Sequence, residues 1–369
     1  MSLAVGVGGR LVFSHDGRRR RVPASNQKLL LSFALLDRLG PDHRIPTSAL
    51  GGKLEDGTLK GDLWLIGHGD PTLTRAAPSY WGDITSPTIA ELAKRVKESG
   101  VTEIDGRVMG ATDFFAHDFD VPGWQPYVPD RYVQLPSSLA LDGNYMVGHR
   151  PERAVARALS KSLEDVGVRV GGLPGWGKRP GGLSRLATVR SRPLIEIVSY
   201  MNRTSNNFFA EMLGKLLGAE VFGPDGTIAK GARAIKAWTR GSGVRAAVYD
   251  SSGLSYKNRV STQALVKLLG RVEGKTWGRA LRTGLAAPGE GTLRYRLAGL
   301  SVRAKTGSLF NGASALSGWV RPAGGERWVE FSILDQDAPQ AIEDRIVGVI
   351  SRAHIRRPPL QRSTCSTQP

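Results

Sequence analysis

Cysteine is nearly absent from this 369-residue sequence; Cys365, close to the C-terminus, is the only one. No internal disulfide can form, and no cysteine-based metal site can be built. Histidine is also scarce. The six are His15, His43, His68, His117, His149 and His354, and no two form an H-x-x-x-H pair, which argues against a zinc hydrolase. No serine stands in a G-x-S-x-G turn with an evident histidine partner, so any serine hydrolase chemistry must draw its base from another residue type. No apolar run approaches the roughly 20 residues a membrane span requires. The start, MSLAVGVGG, carries no secretory leader pattern and runs straight into a strand pattern. It reads as either a cytosolic protein or one whose leader has been removed.

Acidic residues are in deficit. Lys and Arg total 51 against 33 Asp and Glu, a formal net charge of +18. Such a surface attracts polyanions, whether nucleic acid, anionic lipid or acidic wall polymer, or it serves only as a solvated face. The Arg18–Arg21 run lies between "RLVFS" and "VPAS". It is read as the second strand of a hairpin turning at Asp16-Gly17, not as a nucleic-acid motif. With 40% apolar residues, the chain is too hydrophobic to be disordered and long enough for more than one domain.

The pattern along the chain gives strand, hairpin and helix up to about Thr47. A Gly-, Pro- and Asp-rich block of short strands follows, interrupted by two amphipathic helices, "TIAELAKRVKESG" and "PERAVARALSKSLEDVG". From Arg192 the pattern is helical. It closes with three strand-like runs, "LSVRAKTGSL", "GASALSGWV" and "ERWVEFSILD", and a final helix from about Pro339 to His354. A sheet that starts at one chain end and finishes at the other implies a discontinuous domain, residues 1–48 and 187–357, with an inserted domain at 49–186. Residues 358–369 read as a disordered tail.

Three short motifs carry chemistry. In "PASNQKLL", Ser25 opens an apolar helix, where free backbone N–H groups and the helix dipole favour negative charge on oxygen. Lys28, at i+3, shares its face, and a lysine held in a water-poor site can lose its proton and act as a base. Read alone, a capping serine and a solvent lysine are the plainer reading of the pair. In "MNRTSNNFFAEML", Ser205 and Asn207 offer an alcohol and an amide at a junction between helices, although S-x-N alone is an ordinary cap. In "VRAKTGSL", Lys305 and Thr306 offer a cation and a hydroxyl to an anionic group, and Gly307 permits close approach of a substrate backbone. The ordered set S-x-x-K, S-x-N, K-T-G is far more specific than its parts, and is a known signature of penicillin-binding proteins and class A β-lactamases.

The sequence resembles the class C low-molecular-mass penicillin-binding proteins, the D-alanyl-D-alanine carboxypeptidase/endopeptidase family. Beyond the three motifs, "GDPTL" (69–73), "PGW" (122–124), "DSSGLS" (250–255), "GTLRYRL" (291–297) and "ALSGWV" are similar to family blocks. The resemblance runs from about Val5 to about Ile355. It implies an α/β (α+β) serine β-lactamase/transpeptidase-like fold, with a large, mainly β inserted domain between the first and second motifs. It implies that Ser25 attacks the D-Ala-D-Ala bond of a peptidoglycan stem peptide, Lys28 takes its proton, Ser205 relays it to the leaving amine, and Asn207 positions substrate and Lys28. Lys305, with Thr306 and Ser308, receives the terminal carboxylate, and the N–H groups of Ser25 and Ser308 form the oxyanion hole. Asp250 and Ser252 are expected to line or brace the cleft. No cofactor or metal is expected, and β-lactams are expected to acylate Ser25.

In the family the residue after K-T-G is most often Thr; here it is Ser308, which keeps the hydroxyl. Some relatives use an acidic residue of the insertion to read the amine of a diaminopimelate side chain. Asp113 and Asp118 are the candidates for that role, and solvated loop carboxylates are the plainer reading of both. The family works outside the cytoplasm, in the periplasm or cell wall, which favours a removed leader. Anionic cell-wall polymers are an expected partner of the basic surface; nucleic acid is not. The rival readings are a β-lactamase or esterase of the same fold and a non-catalytic wall-binding homologue. The large insertion weighs against the first, and the intact set Ser25, Lys28, Ser205, Asn207 and Lys305 against the second.

Overall fold

The computed structural model describes residues 1–118, 121–145, 150–310, 312–323, 325, 327–337 and 339–354. The tail expected to be disordered and Cys365 lie outside the described residues.

Both chain ends meet in one antiparallel sheet. Its strand order is Val302–Ser308, Ser314–Val320, Val329–Asp335, Ser2–Val7, Arg10–His15. The register puts Ser2 opposite Leu334 and Lys305 opposite Ser317. Two of the three C-terminal strands, Ser314–Val320 and Val329–Asp335, are buried at every position. Helices cover the sheet: Thr262–Glu273 packs on Ser2–Val7 and Val329–Asp335, and Gln340–Arg352 packs on Ser314–Val320.

The core of the helical layer is built from Gln27–Leu39, Leu194–Thr204, Asn207–Phe222 and Ile228–Gly241. Leu29, Leu30 and Leu31 are all fully buried, each contributing about 1.5–3 kcal/mol relative to exposure. Every residue from Phe208 to Ala219 is buried, as expected for a largely apolar helix that runs through the core, with its two buried charges, Glu211 and Lys215, held by partners. Four of the described helices begin with a side-chain cap, supplied by Thr88, Asn206, Thr227 and Ser261. Thr88 accepts from Glu91 N–H before Ile89–Glu98, and Asn206 accepts from Phe209 N–H before Asn207–Phe222.

The middle block has its own sheets and core. One sheet orders Gly175–Gly177, Val108–Ala111, Leu63–Gly67, Pro46–Gly51 and Ser184–Arg190; a smaller one joins Arg169–Val170, Glu103–Ile104, Thr58–Leu59 and Leu54–Glu55. Helices Ile89–Glu98 and Pro151–Asp165 pack against each other beside these sheets, burying Leu92, Val96, Val155 and Leu159. Pro46–Gly51 pairs antiparallel with Ser184–Arg190, so both strands run across the boundaries expected after residues 48 and 186.

The hairpin expected at Asp16-Gly17 does not form. Arg10–His15 pairs back onto Ser2–Val7 through the positive-φ pair Gly8-Gly9, while Arg20–Arg21 pairs with Val260–Ser261. The chain does turn at Asp16, but it turns away from its own strand. Arg21 is drawn inward to Ser2 Oγ (2.7 Å) and the Asp16 carboxylate (3.0 Å), and Gln263 N–H donates to the Gly17 carbonyl.

Candidate active site

Ser25 sits in a single 3-10 turn, Ala24–Asn26, that leads into Gln27–Leu39. Ala24 has φ of 45°, a left-handed conformation that costs a non-glycine residue energy and occurs where the surroundings enforce it. Two neighbours do so here. Asn26 Nδ2 donates to Ser317 Oγ (2.7 Å), tying the turn to the sheet. Gly253, at φ of 91°, lies so close that a Cβ there would meet the Ala24 carbonyl oxygen at 1.9 Å.

Lys28 is fully buried, and its Nζ has three partners: Ser25 Oγ at 3.0 Å, Asn207 Oδ1 at 2.8 Å and the Ser252 carbonyl at 2.7 Å. A neutral amine has two N–H groups and one lone pair. Asn207 Oδ1 and the Ser252 carbonyl can only accept, so they take both N–H groups and leave the lone pair facing the serine hydroxyl. Burial pulls the Lys28 pKa down to about 7, against the opposing pull of the Asp250 and Glu211 carboxylates.

Ser205 ends the helix Leu194–Thr204 in a left-handed conformation (φ 59°), and Asn207 begins the next. This break aims the two side chains at different lysines. Asn207 bonds Lys28, while Ser205 Oγ accepts from Lys305 Nζ at 2.8 Å. Lys305 is fully buried and also donates to the Thr306 carbonyl (2.8 Å). Its pKa is pushed well down by burial and then by the charge of Lys28. The charge of Lys28 therefore weakens the hold of Lys305 on its proton, and loss of the Lys28 proton favours retention of the one on Lys305.

Gly307 passes directly beside Ser25. A Cβ at this position would lie 2.9 Å from Ser25 N, 3.0 Å from Ala24 Cβ and 3.1 Å from the Pro23 carbonyl oxygen. An open cleft of about 440 Å³ lies in front of the cluster. Ser25, Ser205, Asn207, Thr306, Gly307 and Ser308 line it, with Lys28 and Lys305 buried behind them.

Asp250 and Ser252, expected as substrate-binding residues, are both fully buried and do not line the cleft. They brace it from beneath. Asp250 accepts from Trp124 Nε1 (2.7 Å), Asn258 Nδ2 (2.7 Å), Gly253 N–H (3.0 Å) and Ser255 N–H (2.6 Å), which fixes the 250–255 loop. Ser252 serves the site through its carbonyl on Lys28. Asp113 and Asp118, the candidates for reading a diaminopimelate amine, are each held by another partner. Asp113 pairs with Arg179 (2.7 Å); Asp118 pairs with buried Lys215 (2.8 Å) and accepts from Ile228 N–H. Neither lines the cleft. Among the described residues no group of three or more His, Cys, Asp or Glu side chains is placed to hold a metal ion, and no helix is long and apolar enough to cross a membrane.

Sequence reasoning missed several members. Glu211 is fully buried beneath the site and accepts from Ser251 N–H (3.1 Å) and Ser252 N–H (2.7 Å); burial, then the charge of Asp250, lifts its pKa to about 8. It lies inside "NNFFAEML", where a charge in a largely apolar helix was the available signal. The outer wall of the cleft is aromatic. Tyr127, Tyr132 and Phe310 pack with ring centroids 5.9–6.2 Å apart, and Tyr256 stands beside them.

This pairing of a helical layer and an antiparallel sheet around two buried lysines defines a class C low-molecular-mass penicillin-binding protein. Over residues 7–149 and 134–353 the chain matches the D-Ala-D-Ala carboxypeptidase 3 (S13) family, and it belongs to that family. It is 30% identical over 432 residues to the D-alanyl-D-alanine carboxypeptidase of Actinomadura sp. (strain R39), covering 92% of this chain and 78% of that protein. It is 31% identical over 363 residues to carboxypeptidase DacB of Mycolicibacterium smegmatis, covering 89% and 74%. Penicillin-binding protein 4 (dacB) of Haemophilus influenzae shares the fold, with a TM-score of 0.79 at 19% identity over 95% of this chain and 96% of that one. The protein is a serine D-Ala-D-Ala carboxypeptidase that acts on peptidoglycan.

Proposed function

We propose that Ser25 is the nucleophile and Lys28 its base. Ser25 Oγ attacks the carbonyl carbon of the penultimate D-alanine of a stem peptide while its proton passes to the Lys28 lone pair. The C–N bond to the terminal D-alanine then breaks. The leaving amine takes a proton through Ser205, which bridges toward the second lysine, and water hydrolyses the Ser25 ester. Asn207 holds Lys28 in line and faces the substrate. Thr306 and Ser308 meet the terminal carboxylate, with the Lys305 charge behind them. The oxyanion is assigned to the N–H groups of Ser25 and Ser308, a reading supported by the closeness of Gly307 to Ser25 N. The observation that carries the proposal is the three-partner geometry of Lys28.

A β-lactam presents the same carbonyl and would form the same ester on Ser25; a solved relative of this fold, the Bdellovibrio bacteriovorus endopeptidase Bd3459, is described as penicillin G-acylated. Acting on that substrate, the protein would work outside the cytoplasm, in the periplasm or wall, where the +18 surface would meet anionic wall polymers. The catalytic unit is assigned to both chain ends around an insertion. The pairing of Pro46–Gly51 with Ser184–Arg190 supports boundaries near 45/46 and 190/191, outside those expected from sequence. The test is release of D-alanine from a muramyl pentapeptide. The wild type should release it, and Ser25→Ala and Lys28→Ala should not; equal release by Ser25→Ala would reject the assignment.

A further inference from the structure

The Arg18–Arg21 run finds no use in the active site, yet it feeds a feature that recurs on this face. Two adjoining surface troughs, of about 570 and 400 Å³, share Arg20, Val244 and Arg245. The first is also lined by Arg18 and Lys267, the second by Lys236 and Arg240. Six cationic side chains thus edge one continuous depression, and neither trough is lined by an Asp or Glu among the described residues. The neighbouring carboxylate, Asp16, is taken up by Arg19 and Arg21. Among the described residues none of the six is in an ion pair, and all six are exposed.

The fold assembles this set from four separate places. Arg18 and Arg20 arrive on the arm that pairs with Val260–Ser261, Lys236 and Arg240 on the last turns of Ile228–Gly241, Arg245 on the following loop, and Lys267 on Thr262–Glu273. Arg20 and Arg245 are the common wall of both troughs. The arm's departure from the expected hairpin is what carries it there. Like charges held together cost repulsion at the surface, and a ligand with repeated negative charges relieves it. No lining residue is shared with the catalytic cleft.

We propose that this double trough binds a linear phosphodiester polymer of the cell wall and holds the enzyme on its substrate layer. The choice of partner rests on the proposed function at the wall; the anionic chemistry rests on the trough itself. Guanidinium groups match phosphate oxygens bidentately. Binding along a charged chain releases counterions, so affinity falls with salt.

The probe is poly(glycerol phosphate), followed by fluorescence anisotropy from ~50 to ~200 mM salt. Arg20→Glu/Arg240→Glu/Arg245→Glu is compared with Arg157→Glu/Lys178→Glu/Arg185→Glu, an equal charge change at exposed positions of the middle block. Benzylpenicillin uptake by each variant reports the fold and the active site independently of binding. Three lost phosphate contacts should weaken binding at least about tenfold and flatten the log–log salt slope by about 2, while the middle-block variant loses less than about threefold. Equal losses in both variants, or no binding by the wild type, would overturn the proposal. Tighter binding to duplex DNA or to anionic phospholipid vesicles at matched phosphate would overturn the wall-polymer assignment. If the glutamate variant fails to take up benzylpenicillin, the same three arginines changed to Gln carry the comparison, with the same expected ordering.

Discussion

Lys28 Nζ stands 3.0 Å from Ser25 Oγ while both of its remaining partners, Asn207 Oδ1 and the Ser252 carbonyl, can only accept. The neutral amine therefore satisfies every group around it and turns its lone pair to the serine. The protonated amine satisfies the same three groups but has nothing left to offer the hydroxyl proton.

The first prediction is a pH profile. An ordinary lysine loses its proton near 10.5, whereas Lys28 does so near 7. Acylation requires the deprotonated form, so its rate should fall tenfold per unit as pH drops below about 7 and level off above it. A stopped-flow profile of benzylpenicillin acylation checks this; a limb near 10 would contradict it. Lys28→Ala should lower the rate by about 10²–10⁴-fold across the range.

The second concerns Gly307. A methyl group there would press on Ser25 N, Ala24 Cβ and the Pro23 carbonyl oxygen. Gly307→Ala should move the strand or the Ser25 turn by a few tenths of an ångström or more. We expect about a 10²-fold loss of acylation, with an unfolding midpoint that changes far less than activity does. Unchanged acylation would show that the strand does not set the position of Ser25.

The third concerns Glu211. Truncation to Ala leaves the buried N–H groups of Ser251 and Ser252 without their acceptor, at about 1–3 kcal/mol each. The Ser252 carbonyl that holds Lys28 should shift with them. Glu211→Ala is expected both to lower the denaturation midpoint and to slow acylation. Loss of stability alone, with full acylation rate, would show that the 250–255 loop keeps Lys28 in place without it.

Much of this site could be read in the sequence because its chemistry is local. Ser25 and Lys28 meet within one helical turn, Ser205 and Asn207 flank one junction, and Lys305 to Ser308 lie on one strand. What could not be read depends on contacts distant along the chain. Asp250 looks like a cleft residue until Trp124, 126 positions away, is seen holding it from beneath. Asp113 and Asp118 look like free loop carboxylates until Arg179 and Lys215 arrive from 66 and 97 residues further on. The hairpin expected at Asp16-Gly17 was misplaced partly for the same reason: the turn at Asp16 is real, but Arg20–Arg21 is claimed by the distant Val260–Ser261, while Arg10–His15 pairs back onto Ser2–Val7.

A fourth prediction addresses the aromatic wall. Tyr127 and Tyr132 come from the insertion and Phe310 from beyond the K-T-G strand, where it is 75% exposed. An exposed ring packed on other rings at the mouth of a cleft has a surface to offer a ligand. Phe310→Ala should raise KM for a pentapeptide substrate by about 10-fold, the worth of one aromatic contact, with kcat and penicillin acylation little changed. A fall in kcat with constant KM would place the ring in the chemical step instead.

The central claim is that Ser25 carries the covalent intermediate. Intact-protein mass spectrometry after incubation with benzylpenicillin tests it most directly, with Ser25→Ala as the control. The account predicts a mass increase of one penicillin on the wild type and none on the variant. An equal adduct on Ser25→Ala, or no adduct on folded wild-type protein, would contradict it.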